Sequence, residues 1–231
     1  MTRIDLHNFF KHFDENNPKH VAAVEQLEID MKDSPLLEDT SNWVRIYRTQ
    51  PDKPKSSILV VPFYPQTDNY RDADRTCNSS SCAMCLEYFK PGTLKGSKGD
   101  DAYVQKVFSI GDTTDHLVQT RALASYGIKS DFSYSLSFTD LDRELAAGRP
   151  IVIGILHRGS LSAPTGGHMV VVIGKTASGD YVVNDPYGSL NDGYTGSVGN
   201  GKGAVYKRSE LARRWCPGGN DGWGRIFDAK K

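Results

Sequence analysis

Near the start of the chain, apolar positions recur at helical spacing. Leu6, Phe9, Phe10 and Phe13 form one stripe, Val21, Val24, Leu27 and Met31 a second, and "ENNP" separates them, so the pattern predicts two short amphipathic helices. The Pro-containing "KDSPLLEDTSN" closes the pair. Helices this short are stable only when their apolar faces are covered. The sequence therefore predicts an N-terminal helical appendage, residues 1–40, packed on a main domain of residues 41–231. "WVRIYRT" and "SSILVVPFY" follow, rich in β-branched and aromatic residues and bounded by "QPDKPK", as two strands and a connection would be.

After Thr76 the period changes. "SSSCAMCLEYF" contains no Gly or Pro and stops before "KPG", which predicts a helix ended by Pro91 and Gly92. "DHLVQTRALASYGI" reads as a helix with Gly127 as its C-cap, and "SFTDLDRELAAG" as another that opens on a Ser/Thr/Asp cap. The last third turns to strands, "PIVIGIL", "GGHMVVVIGKT", "DYVVNDP" and "GAVYKR", with a long Gly-rich surface loop from Gly188 to Gly203. Helices first and strands later, with little βαβ alternation, predict an α+β domain with an antiparallel sheet.

Length and charge narrow the function. A chain of 231 residues can bury a full core, and its 28 basic and 28 acidic residues cancel. No basic field draws it to nucleic acid or to an anionic membrane. No apolar run approaches the roughly 20 residues of a bilayer span, and "MTRIDLHNFFKHFDENNPKH" lacks the parts of a secretory signal. The expectation is cytoplasmic synthesis, no membrane insertion and no nucleic-acid partner. Oligomeric state leaves no mark in the sequence.

Three of the four cysteines, Cys77, Cys82 and Cys85, read as C-x4-C-x2-C, the spacing of a plant-type 2Fe-2S site, with Cys216 as a fourth thiolate. Such a cluster wants an irregular loop, whereas Cys82 and Cys85 sit in a helix-favouring run with Met84 and Leu86 interleaved, as small buried hydrophobes would. No metal and no organic cofactor is expected. Cys77 differs. It follows the polar "RDADRT" at the start of the helix, where unpaired backbone N–H groups and the positive dipole end stabilise a thiolate. That is the setting of a nucleophile.

A thiolate nucleophile needs a histidine and a group to hold it. Of six histidines, His7, His12 and His20 lie among charged neighbours in the opening helices, His116 follows "GDTTD" in a polar or capping role, and His157 ends a strand as a second choice. His168 stands between "TGG" and "MVVVIG", where two glycines clear space before an apolar strand. The tight turn "ASGD" would bring either Asn184 or Asp185 back to its level. Gln66, eleven positions before Cys77, can offer a side-chain amide to an oxyanion. Tyr64, Tyr187, Tyr194 and Trp223 are candidates for lining a substrate cleft.

The segments "VPFYPQTDN", "TCNSSSCAMCLEYF", "GRPIVIGI", "GGHMVVVIGK" and "YVVNDPYG", over roughly residues 58 to 190, resemble the bacteriocin-leader (double-glycine) peptidase-like family of papain-fold cysteine peptidases. The resemblance implies an α+β papain-like fold with Cys77 as nucleophile, His168 as base, Asp185 as orienting acid and Gln66 as oxyanion donor. Asn78 and Ser79 depart from the Gly and the Pro or Ala usual after the nucleophile. Stand-alone forms are similar to peptidoglycan-cleaving enzymes, bacteriophage lysins among them. They imply an endolysin-like cysteine peptidase or amidase that reaches the cell wall after release. The competing expectation is a catalytically silent peptide- or glycan-binding module, which need not label selectively at Cys77.

Overall fold

The computed structural model describes residues 58–229 and the helical positions 19, 20, 22, 23 and 26. Apart from those five positions, the two opening helices, the strand at "WVRIYRT" and a boundary at residue 40 lie outside the described residues. The chain divides into two units, Met1–Lys55 and Ser56–Lys231, and the architecture belongs to the second. Among the described residues no helix is long and apolar enough to cross a membrane.

Among its described residues this unit has five α-helices and six strands: α1 (Cys77–Phe89), α2 (Asp100–Phe108), α3 (His116–Ser125), β1 (Ser130–Leu136), α4 (Phe138–Ala146), β2 (Ile151–Ser160), β3 (Ala163–Lys175), β4 (Tyr181–Asn184), β5 (Lys202–Tyr206), α5 (Arg208–Arg214) and β6 (Gly222–Phe227). The strands form one sheet in the order β1-β6-β2-β3-β4-β5, with every adjacent pair antiparallel. This is the predicted α+β class.

Side chains that alternate along the strands divide the core in two. Val152, Val171, Ile173 and Val182 meet α1 through Cys82, Ala83, Met84, Cys85 and Leu86. From the opposite face Ile151, Ile153, Val170, Val172 and Val183 meet Leu141 and Leu145 of α4, Leu211 of α5 and Trp215. Each large apolar side chain buried this fully contributes about 1.5–3 kcal/mol. Helix α1 is enclosed on nearly all sides, with only Cys77 and Glu87 not fully buried. It therefore has almost no amphipathic pattern.

The caps follow from the sequence. Ser137 and Asp140 form a capping box at α4, as the Ser/Thr/Asp signal predicted. At α3 the cap is Asp115, which accepts from Leu117 N–H (2.7 Å) and Val118 N–H (3.2 Å), so the capping role expected of His116 falls to its neighbour. The strand expected over "SSILVVPFY" is corrected. Its described part has no strand pairing beyond Leu59 N–H on Ile173 O (2.7 Å), and Val60 is 86% exposed. Pro62 and Pro65 lack the N–H donors a ladder requires.

Candidate active site

Cys77 is the first residue of the 13-residue helix α1. The "NSSS" after it fixes where that helix end stands. Ser79 Oγ shares a 2.7 Å hydrogen bond with Thr113 Oγ1 and accepts from Gln119 Nε2 (2.8 Å), while Ser80 Oγ donates to Asp100 Oδ2 (2.7 Å). Ser81 Oγ donates to Met169 O (3.1 Å), so α1 is tied to β3 one residue beyond His168. These small polar side chains are buried and satisfied, which is what a buried hydroxyl requires.

His168 lies where β3 passes from exposed to buried positions. Its Nε2 and Asp185 Oδ1 are 2.6 Å apart, and the side chains are 4% and 0% exposed. Val171 opposes Asn184 in the register of β3 and β4, which sets Asp185 diagonally across from His168. The Asp185 carboxylate is saturated. Oδ1 also accepts from Tyr187 N–H (3.0 Å), and Oδ2 accepts from the hydroxyls of Tyr206 (2.6 Å) and Tyr194 (3.1 Å). Asn184 points elsewhere. Its Nδ2 donates to Val61 O and Pro62 O, both at 3.3 Å, and its Oδ1 accepts from Gly203 N–H (3.0 Å). Of the two residues, the carboxylate holds the imidazole.

With Nε2 engaged by Asp185, Nδ1 is the nitrogen left to act on the Cys77 thiol. Burial alone would push the Cys77 thiol up. The hydrogen bond and charge of His168, with the backbone N–H groups of Met169 and Asn78, outweigh it and hold the thiol below its ordinary value. Burial would likewise lower His168, but the charge and hydrogen bond of Asp185, followed by those of Cys77, raise it to about 10. Each partner favours the charged form of the other. The pairing shifts both groups toward the thiolate–imidazolium form.

The other two cysteines of the cluster behave oppositely, since burial raises the thiols of Cys82 and Cys85. Cys216 lies in the second core with its Sγ 3.4 Å from Leu136 O, across the sheet from Cys82 and Cys85. The four thiols do not converge as an iron–sulfur site would need. Among the described residues no three His, Cys, Asp or Glu side chains gather as a metal-ligating group.

Gln66 opens a short 3-10 turn and is 1% exposed. Its backbone N–H donates to Pro186 O and its Nε2 to Ala73 O, both at 2.8 Å, so it joins the segment after Asp185 to the loop before Cys77. Among the described residues its second amide hydrogen has no acceptor. Tyr187 and Tyr194 flank His168, with ring centroids 6.1 and 5.9 Å away. Trp223 lies against Gly154 and Gly167, where a Cβ on Gly154 would come 2.1 Å from the indole. Tyr64 is different. It is buried in the α1-side core and its hydroxyl donates to Leu94 O (3.2 Å), so it packs the scaffold and does not line a cleft.

Two further histidines stand near the site, one given a capping role by the sequence and the other ranked second as base. His116 stacks on Phe132 (3.5 Å, 12°), and its Nδ1 is 3.3 Å from Asn78 Nδ2, beside Cys77. Burial and the nearby Arg225 guanidinium lower its pKa, so the ring is neutral and accepts from Asn78, leaving Nε2–H as a donor. His157, the second choice for the base, lies 5.1 Å from the His168 ring, but its Nδ1 is 2.9 Å from Gly166 O and its Nε2 accepts from Arg158 Nε (3.2 Å). Only the folded strand β2 brings it there.

The family model described as Peptidase_C39 like family matches residues 58–216. Among solved structures, a C39-like peptidase from Bacillus anthracis aligns with 16% identity and a TM-score of 0.49, covering 75% of this chain and 98% of that one. A double glycine motif protease from an AMS/PCAT transporter, solved in complex with the leader peptide, aligns with 18% identity and a TM-score of 0.47, covering 76% and 96%. No curated protein matches. By the family model, the chain belongs to the Peptidase_C39 like family, and its function is of the cysteine-peptidase kind.

Proposed function

We propose that the protein is a hydrolase of amide bonds in the peptide part of bacterial peptidoglycan and that Cys77, His168 and Asp185 are its catalytic residues. The observation that carries this reading is the 2.6 Å contact of buried His168 with buried Asp185 beside Cys77 at the start of α1, where Asp185 and Cys77 favour the imidazolium and His168 favours the thiolate. The Cys77 thiolate attacks the carbonyl carbon, and the oxyanion is held by the Cys77 backbone N–H and the free hydrogen of Gln66 Nε2. His168 donates its proton to the leaving amine and then draws one from the water that releases the acyl group. Asp185 keeps the imidazole oriented throughout. Trp223, Tyr187 and Tyr194 border the site from both sides and line the substrate path.

The choice of peptidoglycan is supported by the sequence resemblance to stand-alone peptidoglycan-cleaving enzymes. Digestion of purified peptidoglycan followed by mass spectrometry of the released fragments tests it, with Cys77→Ala as control. Wild type should release new amino and carboxyl ends at one bond, and Cys77→Ala should lose about 10⁴-fold or more of that rate while unfolding at the same temperature. Equal cleavage by Cys77→Ala would remove the nucleophile. Intact peptidoglycan with no selective alkylation of Cys77 would favour a silent binding module.

A further inference from the structure

Beside His168 lies a pocket of about 510 Å³, bordered by His157, Arg158, Tyr187, Tyr194 and Arg214 among others, and among the described residues no carboxylate is part of its wall. We propose that this pocket receives a carboxylate of the substrate, carried by an acidic residue next to the scissile amide. The inference rests on the hydrolase reading and adds a charge requirement to it.

Three observations support the choice of ligand. The first is charge. Arg158 is exposed and, among the described residues, forms no ion pair; its Nε donates to His157 Nε2 (3.2 Å), which leaves its terminal nitrogens for a ligand. Arg214 is fixed by Glu210 Oε1 (2.9 Å) and by the carbonyls of Leu156 (2.7 Å), Arg158 (3.1 Å) and Gly159 (3.3 Å). Arg214 thus holds the backbone on both sides of Arg158 in place. The second is polarity. His157 is neutral, held below its ordinary pKa first by burial and then by the charge of His168, and both its nitrogens are committed. It therefore sets the direction of the Arg158 side chain and adds no charge of its own. The third is position. Tyr194 borders the pocket and also donates to Asp185 Oδ2 (3.1 Å), while His157 and Tyr187 both touch the His168 ring. A carboxylate bound there stands one side chain from the reacting bond. A planar guanidinium favours that partner through paired hydrogen bonds.

The test uses two sets of short synthetic peptides, identical except that every Glu in one is Gln in the other. Their equilibrium binding to Cys77→Ala is read by fluorescence anisotropy, and their cleavage by wild type by mass spectrometry. Glu peptides should bind Cys77→Ala about tenfold more tightly than their Gln partners. Adding Arg158→Gln should erase that preference without weakening the Gln peptides, and Arg158→Lys should restore part of it. The proposal is overturned if binding shows no Glu preference or if the preference survives Arg158→Gln. A Glu preference in binding without any cleavage by wild type would instead overturn the hydrolase reading and leave the pocket standing.

Discussion

Asp185 shares its two buried oxygens among four donors, and one of these is the imidazole that meets Cys77. Removing its charge should therefore be felt at the thiol. His168 is raised to about 10, so the imidazolium and the stability it contributes are fully present below its ordinary value of 6.5 and are lost as pH rises through about 10. Cys77 is lowered, so its thiolate is lost only as pH falls through that lowered value. The pH profile of Cys77 alkylation and of kcat/KM should be broad, with an acid limb from the thiol and an alkaline limb from His168. In Asp185→Asn the alkaline limb should move down by about one unit or more and the acid limb should move up. An unchanged alkaline limb would show that Asp185 does not act on His168. Cys77 and His168 were legible as candidates because helix starts and strand alternation are local signals, whereas the same signals left Asn184 and Asp185 undivided. Tyr206, twenty-one positions after Asp185, was not legible, since nothing in "GAVYKR" marks a tyrosine whose hydroxyl faces a carboxylate.

At the scale of elements, the helix that begins at Cys77 has a carboxyl in its wall. Asp100, the first residue of α2, is fully buried, accepts from Ser80 Oγ and, among the described residues, leaves Oδ1 without a partner. Burial is the largest influence and raises its pKa from 3.8 to about 6, against the opposing hydrogen bond from Ser80, with Asp68 and Asp101 adding repulsion. A helix N-terminus favours an anion by only about 0.3–1 kcal/mol at exposed sites, so desolvation wins here. The stability linked to Asp100 is present below 3.8 and lost as pH rises through about 6. Asp100→Asn should thus be more stable than wild type at pH 7, by on the order of 2 kcal/mol, and should lose the wild type's decline between pH 4 and 7. Denaturant unfolding at several pH values measures this, and an equal decline in both proteins would refute it. The sequence showed α1 through a run without Gly or Pro that stops at "KPG", and α3, α4 and β2 to β5 through their caps or their apolar β-branched runs. It did not show α2, β1, α5 or β6. The alternation of β1, "SDFSYSL", is weak because Tyr134 is 69% exposed, and "GWGRIF" owes its place to pairing with two distant strands.

At the scale of the second unit, one sheet separates two cores, and the site stands where α1, the inner strands β3 and β4 and the loop after β4 come together. The predicted Gly-rich loop from Gly188 to Gly203 turns out to be built, with 3-10 turns at Leu190–Asp192 and Val198–Gly201, and it delivers Tyr194 to Asp185. Its composition revealed flexibility of sequence but not this return path, which depends on a close backbone approach. Gly201 makes that approach. Its carbonyl accepts from Asp185 N–H (2.9 Å), and a Cβ there would lie 2.1 Å from Asp185 O and 2.3 Å from Gly188 O. Both are backbone atoms, so no side-chain rotation relieves the clash and the loop itself must move. Overpacking of this kind costs about 1–3 kcal/mol. Gly201→Ala should lower the unfolding temperature, and by shifting Asp185 it should also return Cys77 alkylation toward the profile of an ordinary thiol. A destabilised protein with an unaltered alkylation profile would mean that the loop supports the fold alone. If both measurements matched wild type, the close packing of Gly201 against Asp185 would be refuted.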